Sequence, residues 1–135
     1  MGYKRGYNNK FDLCYTPSQM DIEKIKQIIN KFAEDRNWDQ FHTPKNLSMA
    51  LSVEASELVE IFQWLKDEES KILDEKNLQS VREELADILI YLIRIAHKLD
   101  IDLQNSVLEK IKINETKYPI ELSKNNAIKY NRRDD

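Results

Sequence analysis

A chain of 135 residues that is 33% charged and 41% hydrophobic predicts one domain with a modest core beneath a heavily solvated surface. Its formal net charge of −3 excludes a duplex nucleic-acid binder that relies on a basic face, so a phosphate ligand calls for a metal. A single cysteine, Cys14, excludes an internal disulfide framework, and the N-terminus lacks the apolar run of a signal peptide or membrane span, so the expectation is a cytoplasmic protein with no membrane partner.

Residues 1–17 hold both glycines and no sustained periodicity, which predicts a flexible N-terminal arm. Ser18 with Asp21 three residues later resembles a capping box, and Ile22, Ile25, Ile28, Ile29 and Phe32 follow at helical spacing, predicting a first helix over 19–36. Thr43 then suits a cap and Pro44 the first helical position, where its missing N–H has no partner to lose, so a second helix runs to about Leu65. After the polar segment KDEESKILDEKN a third helix carries Val81, Leu85, Ile88, Leu92, Ile95 and Leu99 on one side. Asp100 or Asp102 can cap a fourth, which ends near Tyr118 because Pro119 cannot continue it.

No strand-period segment competes with these helices. The fold class is therefore all-α, of four-helix-bundle type, with a helical domain over 18–120 and a polar tail over 121–135. The third helix also has a second apolar flank in Leu89, Ile90 and Ile93, more than a chain this small can cover, which argues for a homo-oligomer built through that helix.

Two acids break the pattern of the second helix. With about 100° per residue from Leu47, Glu54 falls roughly 20° from the centre of the apolar stripe, and Glu57 at its edge. An unpaired carboxylate there needs a cation, a basic partner or a water-filled cleft. The third helix repeats the arrangement, since Glu84 and Asp87 stand one turn apart beside Val81, Leu85 and Ile88, with Tyr91 continuing their edge. If the two helices pack antiparallel, the pairs face one another and form an all-oxygen site, which favours Mg²⁺, with Mn²⁺ as the alternative. Neither His42 nor His97 stands three residues after a glutamate, so a di-iron site is not indicated.

The spacing Glu54-x-x-Glu57 followed by Glu84-x-x-Asp87 resembles the signature of the all-α nucleoside triphosphate pyrophosphohydrolases of the MazG type. RNWDQFHTPKNL, ELVEIFQW, EELADILIYL and KIKINETKYP are similar to the dCTP pyrophosphatase branch, and the likeness covers roughly residues 21–130. The resemblance implies a dimer or a dimer of dimers and hydrolysis of (d)NTPs, dCTP-like or modified, between the α- and β-phosphorus atoms to a monophosphate and pyrophosphate. Glu54, Glu57, Glu84 and Asp87 are the expected metal ligands, with Glu57 first choice as the base that accepts the attacking water's proton and Glu54 beside it as a catalytic residue.

Lys110, Asn114 and Tyr118 recur one turn apart on the fourth helix and form one strip that can face a substrate. Trp38, His42 and Trp64 flank the ends of the first two helices, where the resemblance implies that aromatic faces sandwich the base. Lys124, Lys129 and Tyr130 fall where the family's tail closes over phosphates, though SKNNAIKY is only loosely alike. The competing function is a catalytically silent helical module that binds nucleotides or a protein; the full set of four acids favours turnover.

Overall fold

The computed structural model describes residues 20–133, so the N-terminal arm and Ser18 lie outside the described residues. Helix α1 spans Ile22–Asp35, α2 Pro44–Phe62, α3 Asp67–Ser70, α4 Glu75–Lys98, α5 Leu103–Lys117 and α6 Ile120–Ser123, and a 3-10 turn follows at Tyr130–Arg132. No strand occurs among the described residues, in keeping with the all-α expectation. The single-turn helices α3 and α6 fall in stretches expected as linker and tail.

Local chemistry sets the helix ends. Asp21, not Ser18, caps α1: its carboxylate accepts the Lys24 N–H at 3.0 Å, so the helix starts later than expected. Thr43 Oγ1 accepts the Asn46 N–H at 3.2 Å with Pro44 at the first position, and Asp74 and Asp102 cap α4 and α5 in the same way at 2.8 and 2.9 Å. Each such cap contributes about 1 kcal/mol. Asp100, the other capping candidate, instead adopts a left-handed φ of 53° just beyond α4.

With no glycine at these connections, Asn and Asp take the left-handed positions that terminate helices. Asn37, at φ 52°, ends α1: the Trp38 N–H donates to Ala33 O and the Asn37 N–H to Glu34 O, both at 2.9 Å. The same double bond closes α4, where the Ile101 N–H reaches Ala96 O at 2.8 Å and the Asp100 N–H reaches His97 O at 3.3 Å. The first of these turns fixes where Trp38, Asp39 and His42 leave the helix.

Helix α4 runs antiparallel along α2 and contacts α1 more briefly, whereas α5 makes no contact of comparable extent. Leu47 and Ile93 are fully buried, and Ala33 and Ala96 let backbones approach closely. The expected stripe of α4 is displaced: Leu85, Leu92 and Leu99 are 52%, 39% and 52% exposed, while Ile93, assigned to the flank, is 1% exposed. The cause is that α4 turns its Glu84–Tyr91 edge toward α2 and its Ile93–Ala96 edge toward α1, leaving the leucine row partly exposed among the described residues.

Candidate metal centre

Antiparallel packing of α2 on α4 brings the middle of each helix to the middle of the other, and that is where the acids sit. Carboxylate oxygens of Glu54, Glu84 and Asp87 lie within 4.8 Å of one another, with Glu54 and Glu84 half-buried and Asp87 exposed. Glu57 is not one of this close group. Its carboxyl group stands close to those of Glu54 and Glu84, from the exposed side of α2, where it lines a shallow groove with Ser52, Ser56 and Glu60.

The electrostatics describe negative charge held together without compensation. Burial, then the nearby Glu57 carboxyl and its charge, then Asp87 and Glu84, push the Glu54 carboxyl up to about 7. Burial and the charge of Glu57 likewise raise Glu84 above the usual carboxylate range. Tyr91 is raised by its own burial and by Glu54 and Asp87, which puts its phenol beside the cluster. Among the described residues no salt bridge reaches any of the four acids, and Glu84 Oε2 is buried with no hydrogen-bond partner. A buried carboxylate oxygen without a donor, facing two more carboxylates, fits a divalent cation: hard oxygen ligands, no soft donor, and a charge deficit that the cation removes.

The remaining candidates divide between the ends of the molecule. Trp38 and His42 lie together before α2, their rings 6.1 Å apart, and Trp38 also meets Phe32 edge-on at 5.7 Å. Trp64 lies beyond the opposite end of α2, a helix of 19 residues and so about 28 Å long, and is 87% exposed. One chain does not bring Trp64 to Trp38 and His42. Lys110 and Asn114 are exposed on α5, and Tyr118 at its end packs edge-on to Tyr130 at 5.8 Å, with the Arg133 guanidinium 5.3 Å from its ring. Of the tail candidates, Tyr130 is thus engaged with Tyr118, and Lys124 and Lys129 are exposed. A larger cavity of about 560 Å³ lies between α1, the end of α4 and the start of α5, and none of the four acids lines it.

One cluster was not anticipated from sequence. Arg94 is 2% exposed, and its Nε–H donates to His42 Nδ1 at 3.2 Å, its Nη1 to Asn30 Oδ1 at 2.7 Å and its Nη2 to Asp39 Oδ1 at 2.7 Å. Lys98 Nζ shares that Asp39 oxygen, and the two cations, the Lys98 hydrogen bond foremost, hold Asp39 below the usual carboxylate range. The available signal was a lone arginine inside the apolar run LIYLIRIAH.

Residues 49–132 match the model of the MazG-like family. The chain is 42% identical over 115 residues to dCTP pyrophosphatase 1 of Bos taurus, an alignment covering 84% of this chain and 68% of that protein. It is 40% identical over 111 residues to dCTP pyrophosphatase 1 of Homo sapiens, covering 81% of this chain and 65% of that one, so it spans about two thirds of the length of these relatives. The crystal structure of a pyrophosphatase from Archaeoglobus fulgidus is similar with a TM-score of 0.68 and 39% identity, over 78% of this chain and 98% of that one. A matching family over most of the helical region, carried by a fold that sets the two acid pairs face to face, leads to one assignment: the chain belongs to the MazG-like family and is a hydrolase of the nucleoside triphosphate pyrophosphohydrolase kind.

Proposed function

We propose that the chain is a Mg²⁺-dependent nucleotide pyrophosphohydrolase that cleaves dCTP or a closely related, modified dNTP between the α- and β-phosphorus atoms, releasing the monophosphate and pyrophosphate. The observation that carries this reading is the cluster of Glu54, Glu84 and Asp87 oxygens within 4.8 Å, with no basic partner among the described residues. The shared name of the curated relatives supports the choice of base.

When bound, Mg²⁺ supplies Lewis-acid polarisation of the substrate phosphoryl group and offsets the charge of the departing pyrophosphate. Glu54, Glu84 and Asp87 are the residues that would hold it. Glu57, at the open margin of the cluster, faces solvent on one side and the acids on the other, the position of a base that takes the attacking water's proton. Tyr91, half-buried on α4, stands beside Glu54 and Asp87.

Along α4, Arg94 is seven residues beyond Asp87, about 10 Å, so the Trp38–His42 pair beside Arg94 stands where the base of a nucleotide with its phosphates at the acids would reach. Stacking on Trp38 holds the ring and hydrogen bonding at His42 selects its edge. Lys110, Asn114 and Tyr118 lie on a helix without extensive contact to α2, so their approach to the phosphates, and that of Trp64 to the base, comes from a second copy in a dimer or tetramer.

The test is ³¹P spectroscopy of purified protein with Mg²⁺ and dCTP in ¹⁸O-enriched water. Equimolar dCMP and pyrophosphate, with the label in dCMP, is the expected result. Formation of dCDP and phosphate contradicts the assigned cleavage, and label in pyrophosphate instead of dCMP means that water attacks the β-phosphorus, with the pyrophosphate no longer the leaving group. Tight nucleotide binding without turnover identifies the silent binding module instead.

A further inference from the structure

We propose that Arg94 is a positioning residue that fixes His42 as a neutral ring protonated on Nε2, so that His42 presents the nucleobase with a hydrogen-bond donor and never with a lone pair. This rests on the reading above in which Trp38 and His42 receive the base.

The argument starts from an asymmetry between the two partners. A guanidinium is always protonated and has no acceptor, so the Nε–H aimed at His42 Nδ1 can only donate. Nδ1 must therefore offer its lone pair, and the ring's single proton stands on Nε2. Protonation at Nδ1 would set two N–H groups against each other beside a permanent positive charge. The other charged groups facing the ring are Lys98, also from α4, and Asp39 from its own turn; α1 contributes only the neutral Asn30 amide. Burial and the two cations outweigh Asp39 and hold His42 below the ordinary imidazole range.

Packing alone does not account for an arginine here. A buried cation is costly to desolvate, and an apolar side chain of similar volume fills the same space as well or better. What the arginine adds is geometry, because its three donors join α1 through Asn30, the turn through Asp39 and the ring through Nδ1. Held in this way, the Nε2–H pairs with an acceptor on the base edge, such as a pyrimidine carbonyl or an unprotonated ring nitrogen. A base presenting an exocyclic amine at that point leaves two donors opposed and is rejected.

The experiment reads the ¹⁵N shifts of the His42 ring in the full chain and kinetics with dCTP, for wild type, Arg94→Lys, and Arg94→Met combined with Asn30→Leu to spare an unpaired amide. In wild type near neutral pH the ring is expected to be neutral with the proton on Nε2. In the double variant the tautomers mix, titration moves up toward the ordinary imidazole value, and KM rises about tenfold while kcat stays within about threefold. Arg94→Lys, which keeps charge but not the planar fork, is expected to lose the tautomer as well. A wild-type ring that is cationic or protonated on Nδ1, or a tautomer unchanged in both variants, overturns the role of Arg94. A tautomer lost as expected with KM unmoved overturns instead the placement of the base at His42.

Discussion

The Glu54 carboxyl, pushed up to about 7 by burial and by the acids around it, is half protonated at neutral pH when no cation is present. Its charged form is disfavoured in the folded chain, so the penalty is absent below the ordinary value of 4.5, grows between the two values and is complete above about 7. Metal-free protein should therefore lose stability as pH rises through that window. Solvent screening at a partly exposed site reduces the effect to about 1 kcal/mol. Glu54→Gln removes the charge, and in the presence of chelator it should raise Tm by about 3 °C near pH 8 and leave it unchanged near pH 4.5, read by calorimetry. The same variant, and Asp87→Asn, should lower Mg²⁺-dependent pyrophosphate release by at least about 100-fold with helical circular dichroism intact. Because the cation competes with protons for these oxygens, the Tm gain on adding Mg²⁺ to wild type should be larger near pH 8 than near pH 5. A gain independent of pH would place the cation elsewhere.

At the scale of the element, the turn between α1 and α2 carries the greatest consequence, because Asn37 must hold φ 52° for Trp38 and His42 to leave α1 where they do. Asn37→Gly should be close to neutral, whereas Asn37→Val, with a branched Cβ in a left-handed conformation, should cost about 1–2 kcal/mol and lower Tm by several degrees. Its effect on dCTP turnover should fall on KM more than on kcat, since the turn positions the base site and not the acids. Such local devices were largely legible in the sequence: Thr43 with Pro44, Asp102 and Pro119 each mark a helix end by chemistry confined to a few residues. Glu54, Glu84 and Asp87 were legible because helical periodicity alone puts them beside an apolar stripe. Helix α1 starts later than expected because Asp21, read as the acid of a box begun at Ser18, is itself the cap that accepts the Lys24 N–H. Arg94 stayed hidden because its partners are 52 to 64 residues away in sequence, and the separation of Trp64 from Trp38 follows from the full length of α2. Both depend on packing, which no local spacing encodes.

For the molecule as a whole, many large apolar side chains are exposed among the described residues. Leu78, Leu85, Leu92 and Leu99 recur every seven residues along α4, with Val81, Ile88 and Ile95 between them, the pattern of a helix that pairs with another helix. Glu84 and Tyr91 lie about 100° round α4 from that row and Asp87 about 150°, so pairing through the leucines leaves the acids open. Helix α5 adds Val107, Leu108, Ile111 and Ile113, each about half exposed. A patch of this kind marks an interaction surface, and the substrate-binding side chains on α5 give a second copy a chemical reason to occupy it. Wild type should sediment as a dimer or tetramer at micromolar concentration. In Leu92→Glu, each copy loses about 1.5–3 kcal/mol of burial, so a symmetric dimer should dissociate about 10²- to 10⁴-fold more readily. Specific activity of that variant should then rise with protein concentration as copies reassociate, measured by sedimentation and pyrophosphate release on the same samples. A monomeric Leu92→Glu protein with full activity at every concentration would mean that one chain already holds the complete site, and that α5 acts on its own α2 and α4.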